Sequence, residues 1–474
     1  MQQEQPIIVG LDIGTTKIAA IAGRKNEFGK LEILGFGRAN SNGVQHGMVL
    51  NIDQTIKAIQ TALERCIESN PALESEIHEV YVGIAGHHIK SLQTRGDIVR
   101  QNIEDEISQE EIDRLVADQY RTYIPLGDQI IDVIPQQFTV DNHPNIPNPI
   151  GYSGVKVGAN FHIITGDKNA IRNINRSVEK SGLKTKDLVL QPLASAAAVM
   201  SEQDLEAGVA IVDIGGGTTD LAVFSEGVLK YTAVIPFGGE NITNDIKLGL
   251  GVLRTQAEAM KVQFGSALSD QTKANTFITI PGLRGMAPKE IAVKNLANII
   301  QARMSEIMDF VTYHLKQVGL DSRSLNGGII LTGGGSQLKH LLQLTEFLTG
   351  LNARIGYPNE HLSGDHLEEL EKPMYSTCIG LILKGYNDYE NKYKSTVAEE
   401  VTEKTWKKVA HKADVQIDIE EPVMETTITK TEEPVTIPGD RKKTLKGFLD
   451  SIKTDIINLF QEEDDKNFEE FKNQ

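Results

Sequence analysis

The chain carries one strand-and-turn twice. Val9-Gly10-Leu11-Asp12-Ile13-Gly14-Thr15-Thr16-Lys17 is matched far downstream by Ile211-Val212-Asp213-Ile214-Gly215-Gly216-Gly217-Thr218-Thr219-Asp220. Each copy is an apolar run ending in Asp, followed by a turn of Gly and Thr. The two copies are candidates to face one another across one site. Two such turns can hold one triphosphate and its metal between them. Glycine lets backbone N–H groups approach phosphate oxygens, and the Thr hydroxyls add donors. Lys17 supplies a positive charge that can reach a terminal phosphate. Asp12 and Asp213 are hard oxygen ligands suited to Mg²⁺. The spacing is neither the P-loop nor the dinucleotide fingerprint. One copy alone could be a plain strand-turn; the duplication is what gives it weight.

Three further segments belong with the pair. Gly328-Ile329-Ile330-Leu331-Thr332-Gly333-Gly334-Gly335-Ser336 is again an apolar strand entering a glycine turn, with a helical pattern after it at Leu338, Leu341 and Leu342. Such a turn lets a planar base or ribose lie against bare backbone. Phe237-Gly238-Gly239-Glu240-Asn241 opens another segment, and Ala257-Glu258-Ala259-Met260-Lys261 a third. Glu258 and Lys261 share one helix face, and a plain exposed ion pair is the alternative reading for them.

In this order the five segments resemble the actin/heat-shock-chaperone/sugar-kinase ATPase superfamily over roughly residues 6–390. The resemblance implies an actin-like two-lobed α/β fold that binds ATP and Mg. Asp12 and Asp213 would hold the metal through water. Gly14, Thr15, Thr16 and Lys17 would clasp the phosphates with Gly215, Gly216, Gly217 and Thr218. Gly239, Glu258, Lys261, Gly334, Gly335 and Ser336 would surround the adenosine. Gln191, ahead of Pro192, stands where the superfamily places a water-orienting polar residue, which makes it the catalytic candidate. It is also an ordinary residue for a helix start before Pro.

Composition sets outer limits. A chain of 474 residues is too long for one core. Lys and Arg number 48 against 65 Asp and Glu, for a net charge of −17, which argues against a basic nucleic-acid-binding surface. Two cysteines, Cys66 and Cys378, suit a reducing compartment. The first residues lack a basic signal-peptide region, and no apolar run is long enough for a transmembrane helix.

Patterning divides the chain. Residues 1–86 read as first-lobe core, completed by 166–205 and 371–386. Residues 206–240 and 326–370 read as the second lobe, and 241–325 as a helical subdomain. Between them, 87–165 changes character. It holds a polar strand, a capping box of Ser108 and Glu111 opening a helix, a strand from Gln129, and a proline-rich loop at Pro144–Pro149. The inserted segment, Asn148-Pro149-Ile150-Gly151-Tyr152-Ser153-Gly154 before His162-Ile163-Ile164, and Leu296 to Ile307 together resemble the FtsA family, bacterial cell-division relatives of actin. Tyr152 departs from the Met expected in that loop.

Beyond Tyr386 the pattern weakens. Residues 387–440 are rich in Glu, Lys and Thr with few large apolar side chains, and read as a disordered linker with a reach of about 40 Å. Trp406 lies in it beside Lys404, Lys407 and Lys408, either a contact residue or an incidental exposed one. Residues 441–461 then read as an amphipathic helix. Leu445, Phe448, Leu449, Ile452, Ile456, Leu459 and Phe460 fall within an arc of roughly 120°. Arg441, Lys442, Lys443, Lys446 and Lys453 add basic charge, and residues 462–474 form an acidic tail. The helix suits a membrane surface carrying anionic lipids; docking into a protein groove is the alternative. Half-burying seven apolar side chains gives roughly 5–10 kcal/mol gross, less the cost of ordering and association. One copy is then a reversible anchor, and many copies on a filament bind firmly.

The FtsA resemblance implies a polymerising, peripheral protein at the division site on the cytoplasmic side of the cell membrane. Its partners would be itself, the C-terminal tail of the tubulin-like FtsZ, and other divisome proteins. Arg303, in the helical subdomain, is the candidate for an FtsZ-tail carboxylate because an Arg engages one bidentately; an ordinary helix-face pair with Glu306 is its alternative. The loops point to at most slow ATPase activity. A metabolic kinase or phosphatase, a chaperone-type ATPase and a pilus-assembly platform protein of the same fold remain open at this level.

Overall fold

A computed structural model describes residues 5–391, apart from 102–103, 274, 283–286, 320–323 and 365–366. The first Asp strand, Ile8–Ile13, pairs antiparallel with Lys17–Lys25, which pairs antiparallel with Leu31–Asn40. On its other edge Glu79–Ile84 adds in parallel, followed by Lys184–Leu190. The second Asp strand repeats the plan. Val209–Ile214 leads antiparallel into Thr219–Ser225 and Val228–Ile235, and takes Ile329–Thr332 and Ala353–Ile355 in parallel on the other side. Both Asp strands are buried at every residue, as expected for strands covered on both faces. The chain returns to the first sheet through Leu362–Ser363, parallel to Leu31–Asn40.

Helix Ile52–Glu68 starts where the Asn51 side chain accepts from the Gln54 N–H, a standard N-cap. It buries Ala58, Ile59, Ala62, Leu63 and Cys66 in the core of the first lobe. Two other helices, Gln191–Val199 and 376–391, join the halves. Their Ala194, Ala198, Ile379 and Ile382 share one apolar cluster with Ile21 of the first sheet and Ile211 and Ile330 of the second. Truncating a buried Ile here to Ala costs about 2–5 kcal/mol.

The inserted segment is a sheet in the order Lys90–Val99, Lys156–Asp167, Asp128–Val140, His143–Ile146, with helix Gln109–Gln119. Both bonds of the Ser108/Glu111 capping box form. Part of the expected proline loop is strand: His143–Ile146 sits at the sheet edge, where the missing N–H of Pro144 costs no ladder bond. The insert docks on the second lobe. Gln136 Nε2 donates to Leu229 O at 2.6 Å, and His162 Nε2 meets Thr232 Oγ1 at 2.9 Å. Burial holds the His162 ring down to about 4, so it bridges as a neutral imidazole.

Helices Gly239–Leu250, Arg254–Phe264 and Val293–Gln317, with the hairpin Phe277–Ile280/Lys289–Ala292, make up the helical subdomain. Val293–Gln317 buries Ile300, Met304, Ile307, Met308, Val311 and Leu315, while Phe310 is 37 % exposed. Helix 376–391 runs past residue 386, where the linker was expected to begin. The rest of the linker, Trp406, the amphipathic helix 441–461 and the acidic tail lie outside the described residues. No helix among the described residues is long and apolar enough to cross a membrane.

Candidate functional site

The two loops have the same geometry. Gly14 N donates to Lys17 O at 3.0 Å, and Gly215 N to Thr218 O at 2.9 Å. They line one cavity of about 80 Å³ together with Asp12, Asp213, Gln191 and Gly333. The start of helix Gly239–Leu250 is fixed to the second loop, with Gly239 N donating to Gly215 O at 2.9 Å and Glu240 N to Gly216 O at 2.7 Å. A small hairpin, Val44–Gln45 with Met48–Val49, closes across both. His46 Nδ1 lies 3.1 Å from Gly217 O, and Gly47 N donates to Thr15 Oγ1 at 3.3 Å.

The acids are buried. Burial pushes the Asp12 carboxyl up to about 6, opposed by Lys17 and reinforced by Asp213. Gln191 Nε2 donates to Asp12 Oδ1 at 3.0 Å, and Lys17 Nζ lies 3.9 Å from Asp12 Oδ2. Gln191 does begin a helix before Pro192, and its side chain lies in the cavity at the paired acids. Asp213 is also pushed up by burial, held back by Ser195, Lys17 and Thr377. Ser195 Oγ donates to Asp213 Oδ2 at 2.5 Å and Thr377 Oγ1 to the same oxygen at 3.2 Å. Ser195 lies on one joining helix and Thr377 on the other.

A third acid joins them. Asp220 is the cross-strand partner of Asp213; the matching place opposite Asp12 is Ala19. Burial first, then Asp213, pushes Asp220 up to about 8, against a hydrogen bond from Thr218 Oγ1. Its Oδ1 is buried without a hydrogen-bond partner. Three carboxyls whose burial resists their ionisation, one with an oxygen unsatisfied, fit a divalent cation, which favours the ionised forms and binds oxygen.

Beyond the loops lies a second cavity of about 430 Å³, lined by Gly239, Glu258, Lys261, Gly334 and Gly335. Glu258 and Lys261 do form a salt bridge, at 2.8 Å, yet the pair is part of this wall. Lys261 Nζ also donates to Gly239 O and Thr243 Oγ1, each at 2.8 Å. Ser336 is placed differently from the expectation. It is buried, its hydroxyl donates to Gly333 O at 2.8 Å, and Gln337, Leu338 and Lys339 line the cavity instead. Gly333 has φ +80°, and a Cβ there would lie 2.2 Å from Asp213 Oδ1, so the turn needs glycine on both counts.

Arg303 is engaged inside the protein. Its Nε and Nη2 fork onto Asp245 at 2.6 and 3.0 Å, and Nη1 reaches Glu306. The guanidinium lies 5.5 Å from the Phe237 ring centre. The expected Glu306 pair is present, with Asp245 added by the neighbouring helix.

Known proteins share this plan. The family model "Cell division protein FtsA" matches residues 210–380, and "SHS2 domain inserted in FTSA" matches 86–165. The Cell division protein FtsA of Neisseria meningitidis serogroup B is 38% identical over 383 residues, covering 81% of this chain and 91% of that protein. That of Escherichia coli K12 is 33% identical over 396 residues, covering 82% and 92%. Among solved structures, a chain of the PilM-PilN type IV pilus biogenesis complex superposes with a TM-score of 0.59 over 80% of this chain and 98% of its own, at 15% identity. That likeness is one of fold.

Proposed function

The chain belongs to the FtsA family of cell-division proteins, and from that premise we propose that it binds ATP with Mg²⁺ between its paired turns, polymerises, and tethers the FtsZ ring to the inner face of the cytoplasmic membrane. The observation that carries the nucleotide part is the matched pair of turns around Asp12 and Asp213, with a base-sized cavity beside them. Gly14 to Lys17 and Gly215 to Thr218 would bind the phosphates. Gly239, Glu258, Lys261, Gly334 and Gly335 would receive the adenosine, with Ser336 bracing the turn from behind. Asp12 and Asp213 would hold Mg²⁺ through water, and the metal supplies neutralising charge to the phosphates. Gln191, already bonded to Asp12 through its amide nitrogen, keeps its oxygen as an acceptor to orient water.

The tether rests on the terminal amphipathic pattern, Leu445 to Phe460 with its basic cluster. The helical subdomain would receive the FtsZ tail. Arg303 would take part by exchanging Asp245 or Glu306 for a tail carboxylate. Cosedimentation with anionic liposomes tests the whole reading. The full chain with Mg·ATP should pellet and carry FtsZ-tail peptide with it, and a chain ending at residue 391 should do neither. Equal pelleting of the shortened chain would sink the tether; identical behaviour without nucleotide would sink the nucleotide part.

A further inference from the structure

Another cavity adjoins the first turn. It measures about 720 Å³ and shares only Thr16, Lys17 and Met374 with the small cavity at the acids. Its wall carries four cations, Lys17, Arg38, Lys57 and Arg65, and no acidic residue, in a chain of net charge −17. The cations come from separate elements: the start of Lys17–Lys25, the end of Leu31–Asn40, and one face of Ile52–Glu68. Lys57 and Arg65 are spaced eight apart on that helix, which puts them on one side. Arg38 is paired with Glu369 at 3.0 Å, and Arg65 Nη1 donates to the Arg38 carbonyl at 2.5 Å. The Lys57 ammonium has no hydrogen bond or ion pair among the described residues. Neutral donors complete the wall, in the side-chain amides of Asn40 and Gln54.

The geometry points to a second oxyanion site: this cavity binds a phosphate group beside the first turn, against Lys17, Arg38, Lys57 and Arg65. Concave walls with cations of one sign focus potential and concentrate anions. Arg and amide donors suit phosphate oxygens, and Lys adds point charge. Lys17 stands at the junction, its ammonium donating to Met374 O at 2.6 Å. Lys17 therefore lines both this cavity and the one at the paired acids. The site takes phosphate from solution or phosphate leaving the cleft.

The test uses the full chain with Mg²⁺ and a non-hydrolysable ATP analogue, so that the terminal-phosphate position is filled. Inorganic phosphate is titrated by equilibrium dialysis. One saturable phosphate per chain is expected, weakened about tenfold or more in Lys57→Glu/Arg65→Glu. Lys180→Glu, a remote reversal on an exposed helix end, should leave it unchanged. No saturable phosphate, or equal loss in both variants, overturns the inference. So does a variant that binds phosphate normally but no longer assembles on liposomes, which makes the cavity a protein interface. Failure of the analogue to bind counts against the nucleotide reading alone; the same titration without it still reads this cavity. With ATP, a free-phosphate reporter distinguishes the sources. A lag that vanishes in the variant assigns the cleft, and no lag in either assigns the solution.

Discussion

Replacing Asp220 with Asn removes the most strongly perturbed carboxyl of the cleft while keeping its shape. Burial among Asp213 and Asp12 puts this group at about 8, against 3.8 ordinarily. Between those values the folded protein holds a proton that the unfolded chain has lost, so stability falls as pH rises through that window. At pH 7 the cost is at most about 4 kcal/mol, at 1.36 kcal/mol for each pH unit above 3.8. Water entry and side-chain adjustment lower it, and Asp220→Asn should gain about 1–3 kcal/mol in nucleotide-free protein. Thermal unfolding between pH 5 and 8.5 reads the effect. Wild type should lose stability across the range. The variant should keep the fall below about pH 6 that Asp12 contributes and flatten between pH 6 and 8. Added Mg·ATP should stabilise wild type more than the variant, because cation binding draws on the ionised carboxylate. A variant with the wild-type slope from pH 6 to 8, or one less stable at pH 7.5, would refute the reasoning.

Gly333→Ala drives a methyl into Asp213 and forces a left-handed residue. It should cost about 2–4 kcal/mol in thermal unfolding and abolish nucleotide binding by fluorescent-analogue titration. Ser195→Ala strips the shortest hydrogen bond from Asp213. It should raise that carboxyl further and move the pH midpoint of Mg·ATP binding upward; an unchanged midpoint in calorimetric titrations would count against the assignment. Lys261→Ala removes donors to Gly239 and Thr243 along with part of the cavity wall, and ADP affinity should drop about tenfold. Arg303→Lys keeps the charge but loses the fork on Asp245. FtsZ-tail binding should weaken with the thermal midpoint within a few degrees of wild type, and unchanged binding removes Arg303 from the docking surface.

The turns were legible because their chemistry is local: Asp, Gly and Thr sit within a few residues of the atoms they arrange. The Ser108/Glu111 box was legible for the same reason. Asp220 stood in the motif itself, but its importance depends on burial opposite Asp213, which no spacing displays. Ser195 and Thr377 converge on Asp213 from 18 and 164 residues away, and a hydroxyl carries little pattern of its own. His46 reaches Gly217 from a hairpin with only two residues per strand, too short to show alternation. Ser336 was misplaced by one position because a 3₁₀ turn, Gly334–Gln337, rotates it inward. For Arg303 the near partner, Glu306, was visible on the same helix face; Asp245 was hidden in another helix.

Helix 376–391 has a mechanical consequence. At about 1.5 Å per residue it is a rod of about 24 Å, and the chain continues from one end of it into residue 392. At the other end Thr377 bonds Asp213, and the Cys378 carbonyl packs so close to Gly10, two residues before Asp12, that a Cβ there would come within 2.5 Å of it. The start of this one stiff element therefore braces both Asp strands, and a shift of it moves the backbone behind Asp12 and the hydroxyl on Asp213 together.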